Sequence, residues 1–216
     1  MSRVQVTLKL ATSLDGKIAL ASGESEWVTG ERARRAGRAL RGQHDAIAVG
    51  SNTAILDNPQ LTTRISGLPD PARVVFDTRL RLPPGGNLAQ TAKDVPVFVV
   101  TAEGAHSPEL ARLGVTVLPV VTDAGRVSIP RALDALYRVG VRTLLVEGGG
   151  ELAAAFLRAE CVDTLEWFTA PILIGGDGRA CVAALELGRM NDVRRWRRVV
   201  LEELDDDLHE RFERMD

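Results

Sequence analysis

Four short runs, Ile47-Ala48-Val49, Val74-Val75-Phe76, Val97-Phe98-Val99-Val100 and Leu144-Leu145-Val146, are apolar at every position. A strand with no polar side has to be covered on both faces, which is the condition of a parallel sheet flanked by helices. Helical patterns precede, separate and follow these runs. One spans Gly30 to Arg41, with Thr29 as candidate N-cap, Glu31 in the first turn and Gly42 beyond the end. Others run from Pro108 to a stop at Gly114, from Pro130 to Val139 before Gly140, and from Glu151 to Arg158. The alternation predicts an α/β fold with a mostly parallel central sheet and flanking helices. No repeat, low-complexity tract or linker divides the 216 residues, so residues 1–216 are read as a single domain.

The two ends of the chain differ from its middle. Val4-Gln5-Val6-Thr7-Leu8-Lys9-Leu10 alternates apolar and polar with the period of a half-buried strand, and Asp15-Gly16 signals a turn after it. The tail from Val193 to Met215 alternates through Trp196 and Val200, turns at Asp205-Asp206-Asp207 and returns, which predicts a C-terminal antiparallel hairpin; Leu208 and Phe212 also suit a helix.

A net charge of -2 argues against a nucleic-acid or anionic-membrane binder. Two cysteines, Cys161 and Cys181, make no disulfide framework, and three scattered histidines make no metal set. With no signal-peptide pattern and no apolar run of membrane-spanning length, the expectation is a reduced, soluble, cytoplasmic protein with no metal.

Two stretches carry candidate chemistry. In the first, the strand ending at Gly50 runs into Ser51-Asn52-Thr53 and then Asp57-Asn58-Pro59-Gln60-Leu61-Thr62-Thr63-Arg64, a polar crevice of the kind open α/β sheets use for ligands. In the second, Glu147 is followed by Gly148-Gly149-Gly150 and a helix; such a turn lets backbone N–H groups approach a phosphate, or is simply a tight strand-to-helix turn. It matches neither G-x-G-x-x-G nor a P-loop. Arg41 and Arg64 are candidate anion clamps, Arg41 doubling as compensation for a helix C-terminus. Trp27 is a candidate stacking group or a lid on the core. No nucleophilic triad is visible, which suits chemistry carried by a cofactor.

Taken in order, Thr12 to Ala19, Ser22 to Thr29, Gly50 to Thr53, Asp57 to Arg64, Glu147 to Gly150 and Ala170 to Gly176 resemble the pyrimidine reductases of riboflavin biosynthesis, the RibD C-terminal domain family with its dihydrofolate reductase-like fold. The resemblance implies NADPH-dependent reduction of 5-amino-6-(5-phosphoribosylamino)uracil to its ribitylamino product, by hydride transfer to ribose C1′. It implies substrate contacts at Ser25, Arg41, Leu61, Arg64 and Glu147, with both arginines at the phosphate. It implies cofactor contacts at Ala11, Trp27, Thr53, Asp57, Thr78 and Gly148, with the Gly149-Gly150 turn under the pyrophosphate; Thr78 and Arg79 are where 2′-phosphate selectivity is expected. Asp57 and Glu147 are the candidate catalytic carboxylates, Asp57 or a bound water serving as proton donor. A homodimer is implied, with Ala170 to Ile174 a candidate contact.

Many family members also carry a zinc deaminase with H-x-E and P-C-x-x-C motifs. Neither motif occurs in this sequence, so a free-standing reductase is expected, and a same-fold reductase acting on another pyrimidine or a pteridine is the competing reading. An S-adenosylmethionine methyltransferase is disfavoured by the absence of a spaced G-x-G after the first strand. A non-catalytic nucleotide-binding module remains the alternative outside enzymes.

Overall fold

The structure is a computed structural model that describes residues 3–25 and 28–215. In chain order its elements are β1 (Gln5–Ser13), β2 (Lys17–Ala19), α1 (Glu31–Arg41), β3 (Ala46–Gly50), α2 (Ser51–Leu56), β4 (Ala72–Phe76), α3 (Asn87–Gln90), β5 (Val97–Ala102), α4 (Pro108–Arg112), β6 (Thr116–Val120), β7 (Thr122–Asp123), β8 (Arg126–Val127), α5 (Ile129–Arg138), β9 (Thr143–Glu147), α6 (Gly150–Arg158), β10 (Thr164–Ala170), β11 (Arg179–Ala180), β12 (Trp196–Leu204) and β13 (Asp207–Arg214). Nine strands form one sheet in the order β12-β13-β10-β1-β9-β3-β4-β5-β6. From β10 to β6 every neighbouring pair is parallel, and β13 and β12 close the other edge as an antiparallel hairpin.

The apolar runs are central strands covered on both sides, as their composition requires. Val74, Phe76, Leu144 and Val146 face a core shared with Leu133 and Leu136 of α5 and Phe156 of α6. The alternate positions, Ile47, Val49, Val75 and Val99, pack against Ala54, Leu88 and Leu110 on the opposite face. Each such side chain contributes about 1.5–3 kcal/mol on burial, so the pattern of the strands settles which helices cover them. In β1 the alternation sends Val6, Leu8 and Leu10 to the first face. Thr7, Lys9 and Ala11 then belong to the second, beneath α1.

The helix α1 starts one residue later than the sequence indicates. Thr29 is buried and does not cap it; Gly30 is the N-cap, and its backbone N–H donates to a carboxylate oxygen of Asp207 at 2.6 Å. A cap supplied from the C-terminal hairpin has no local signature in the sequence. The hairpin itself is formed: Leu208 and Phe212 lie on β13, paired with Thr169 and Leu165 of β10. The ribbon β7–β8, the pair β2–β11 and the four-residue α3 have no counterpart in the sequence reading; each is too short to build a periodic pattern. Among the described residues, no helix is long and apolar enough to cross a membrane.

Candidate active site

Because the central strands are parallel, their C-terminal ends lie along one edge, and the candidate residues collect there. Glu147 is the last residue of β9. Arg41 ends α1 and grips Glu147 with both prongs of its guanidinium: Nε donates to Oε1 and Nη2 to Oε2, each at 2.9 Å. Its Nη1 donates to the Thr62 carbonyl at 2.8 Å, which ties the helix to the polar loop after α2. Lys9 completes the cluster from β1, directly opposite Glu147 in register, with Nζ 4.0 Å from Oε2. Room for Lys9 is left by Gly37, where an added Cβ would stand 3.2 Å from Lys9 Cε. Burial alone would raise the Glu147 carboxyl, but the Lys9 charge and the hydrogen bonds and charge of Arg41 outweigh it and hold its pKa below the usual range. The carboxylate is ionised and fixed in direction.

Beside this cluster lies the glycine turn, whose three residues are glycine for two reasons. Gly148 and Gly149 have φ of 92° and 77°, a left-handed backbone that side-chain-bearing residues adopt at a cost. Thr53 Oγ1 stands opposite, 3.7–3.8 Å from where their Cβ atoms would be. Gly150 has an ordinary φ, but a Cβ there would lie 2.5 Å from the Ala180 carbonyl oxygen. The Ala183 N–H donates to the Gly150 carbonyl at 3.0 Å, so the segment after β11 is laid across the start of α6.

The loop after α2 is wound tightly. Asn58, Leu61 and Arg64 have φ of 41°, 58° and 52°. Thr63 braces it, its backbone N–H and hydroxyl both donating to an Asp70 oxygen at 2.7 and 3.0 Å. Leu61 is buried in the second core, whereas Arg64 is exposed and, among the described residues, has no ion pair or hydrogen bond. Strain of this kind in side-chain-bearing residues is characteristic of binding loops. Asp57 caps the end of α2; although exposed, its carboxyl loses enough water to the protein beside it that its pKa is pushed up.

Ala11, Thr78 and Arg79 lie at or just beyond the C-terminal ends of β1 and β4. Ala11 is half-buried opposite Phe168, and Ser25 is exposed and has no hydrogen-bond partner among the described residues. Thr78 follows β4; its hydroxyl oxygen accepts from the Val127 N–H at 3.2 Å, fastening β8 beside it. Arg126 of β8 in turn pairs with Glu151 in the first turn of α6 at 3.0 Å. Arg79 is exposed and has no partner among the described residues. Trp27 lies outside the described residues. A surface cavity of about 350 Å³ lined by Pro84, Gln90, Glu109 and Arg112 shares no residue with this edge.

A match to the RibD C-terminal domain covers residues 4–209. The chain belongs to the RibD C-terminal domain family. Riboflavin biosynthesis protein RibD of Bacillus amyloliquefaciens is 41% identical over 175 residues, covering 79% of this chain and 46% of that protein. The 2,5-diamino-6-ribosylamino-4(3H)-pyrimidinone 5′-phosphate reductase of Methanothermobacter thermautotrophicus is 36% identical over 194 residues, 88% of each chain. Acinetobacter baumannii RibD superposes over the whole of this chain and 59% of its own, with a TM-score of 0.87 and 30% identity. The chain spans about half the length of the RibD proteins it matches. Within this RibD C-terminal domain, Lys9 is the member of the Glu147 cluster that the sequence does not single out. Its signal was available: it sits on the polar side of an alternating strand, two residues before Ala11.

Proposed function

We propose that this chain is an NADPH-dependent reductase of a phosphorylated ribosylaminopyrimidine, converting 5-amino-6-(5-phosphoribosylamino)uracil to the ribitylamino product. The observation that carries the reading is the Lys9–Glu147–Arg41 cluster standing against the Gly148-Gly149 turn. It sets an oriented, ionised hydrogen-bond acceptor next to a backbone suited to phosphate.

Gly148, Gly149 and Thr53 fit a dinucleotide's pyrophosphate: the turn carries no side chains, and the first N–H groups of α6 lack helical partners. Thr78 and Arg79 would hold its 2′-phosphate, with Ala11, Asp57, Gly150 and Trp27 at the rest of the cofactor. Bound there, NADPH would supply a hydride for C1′ of the ring-opened, imine-like ribose. On the substrate side, Glu147 accepts hydrogen bonds from the pyrimidine, and Lys9 presents an ammonium group beside it. Ser25, Leu61 and the two arginines hold the ribose phosphate. Asp57, whose raised pKa lets it keep a proton to higher pH, is the side chain suited to deliver one. Positioning supplies most of the acceleration. The chain acts as a homodimer, for which Ile172 and Leu173, 41% and 76% exposed, are contact candidates.

A second reading follows from the archaeal relative, the one matched over 88% of both chains, which is named for the 2,5-diamino-pyrimidinone rather than the uracil. The two substrates differ only at the pyrimidine C2 substituent. Loss of NADPH absorbance with each compound separates them: preference for the uracil supports the first reading, preference for the diamino compound the second. Oxidation with neither would end both.

A further inference from the structure

We propose that His209, on the C-terminal hairpin, is a positioning residue for Lys9, acting across the ring of Phe168. Phe168 is buried and stands between the two, because β10 lies between β13 and β1 in the sheet. From β13 the imidazole of His209 stacks on it, ring centroids 4.4 Å apart and planes within 6°. From β1 the Lys9 ammonium lies over the same ring, 5.7 Å from its centroid. Ala33 and Leu40 of α1 pack in the same cluster and close the ring in.

Lys9 has little else to hold it. Its Nζ is 4.0 Å from Glu147, too long for a hydrogen bond, and both oxygens of that carboxylate already accept from Arg41. The Phe168 ring therefore helps to set where the ammonium points, through the attraction of a cation to an aromatic face.

His209 is fixed in turn by a buried carboxylate. Glu166 lies beside Lys9 in register on β10, with Arg211 across from it on β13. Arg211 Nε donates to Oε1 and His209 Nε2 to Oε2, each at 2.6 Å. An ionised carboxylate only accepts, so Nε2 carries the imidazole proton. Nδ1 is buried and, among the described residues, has no hydrogen-bond partner; Glu202 of β12 is 3.7 Å away. A second proton taken up at Nδ1 sets a second cation against the ring that Lys9 uses. Glu202 and Glu166 face that charge, but Glu166 is shared with Arg211, and Asp207 on the same strand is engaged by Gly30. Imidazoles change charge between about pH 5 and 8, so Lys9 should respond in that range.

The activity arm of the test rests on the proposed reduction; a spectroscopic arm does not. The chain has three lysines, Lys9, Lys17 and Lys93, so isotope labelling of the lysine ε-methylenes gives a spectrum simple enough to assign. The Lys9 signal, displaced by the Phe168 ring current, is expected to move with pH at the midpoint read from the His209 imidazole. This titration uses the wild type and needs no variant to fold. In His209→Phe, which keeps a stacked ring without the titration, the step should vanish. In His209→Gln the Lys9 signal should shift toward that of exposed Lys93. KM for the phosphoribosylaminouracil should rise about five-fold at unchanged NADPH affinity, the scale of one weakened cation–π contact. His44, bonded to Thr7 and close enough to act on Glu147, is the competing titrating group. A step that survives in His209→Phe and is lost in His44→Gln overturns the inference, as does a Lys9 signal that stays flat while His209 titrates. If the Lys9 signal follows His209 but neither pyrimidine is reduced, the coupling stands and the proposed reaction falls.

Discussion

Arg41 and Glu147 are 106 residues apart in the chain and meet as a two-pronged ion pair, Nε and Nη2 of one each 2.9 Å from an oxygen of the other. The pair joins the end of α1 to the end of β9. It fixes a carboxylate at the edge where the candidate site lies, and it draws the loop after α2 in through Thr62.

Removing one partner should therefore cost more than a surface ion pair would. Their side chains are 16% and 12% exposed. Arg41→Ala is expected to destabilise the protein by about 3 kcal/mol, the low end for breaking a buried pair because Lys9 remains. Urea unfolding measures this. The double variant Arg41→Ala with Glu147→Gln should lose less than the sum of the two single variants. A loss below about 1 kcal/mol for Arg41→Ala, the range of exposed pairs, would show that the pair is not holding the site together.

The same pair sets a pH dependence. The folded-state pKa of Glu147 lies below its unfolded value, so its contribution to stability is complete above the ordinary glutamate pKa. It is lost only as the pH falls through the depressed folded value. Between pH 7 and about 5, a range above the unfolded glutamate pKa of about 4.3, the wild type and Glu147→Gln should differ by a constant amount of stability. Below that range the gap should narrow. Parallel denaturation curves at successive pH values test this, and a gap that widens on acidification would mean that the carboxyl pKa is raised.

Two adjacent glycines should fail in different ways. Gly149→Ala meets only ordinary contact with Thr53 but forces a left-handed φ of 77°. It is expected to cost about 1–2 kcal/mol and to raise the KM for NADPH. Gly150→Ala has an ordinary φ but would drive a methyl into the Ala180 carbonyl. Its effect should be displacement of the segment after β11, seen as faster amide exchange at Cys181 and Ala183, whose N–H groups bond to Gly16 and Gly150. Identical exchange patterns in the two variants would contradict the distinction.

What the sequence discloses here follows the range of the forces involved. The period of two in β1 and the unbroken apolar runs were legible because each strand's own composition records which faces are buried. Glu147, Arg41 and the glycine turn stood out singly for the same reason. Their pairing did not, since it depends on β1 and β3 flanking β9, a neighbour relation set by topology. Lys9 reads as an ordinary polar position until register sets it opposite Glu147. The ribbon β7–β8 contributes the Val127 contact to Thr78, yet its strands are two residues each, too short for any pattern.

Asp207 gives the last case of a role fixed at long range. It opens β13 directly after a turn in which Asp205 has φ of 61°, and it is 5% exposed. One carboxylate oxygen accepts the Gly30 N–H at 2.6 Å and stands at the positive end of α1, where a negative charge is stabilised. The helix has no side-chain cap of its own. Asp207→Ala should therefore cost about 1–2 kcal/mol, the scale of losing an N-cap. Asp207→Asn should cost less, since its amide oxygen can still accept. Because α1 ends at Arg41, fraying from Gly30 should also raise the KM for the proposed phosphorylated substrate more than that for NADPH. Amide exchange over Glu31 to Arg35, measured alongside denaturation, separates this account from general loosening: protection lost there first supports it, and uniform loss across the sheet contradicts it.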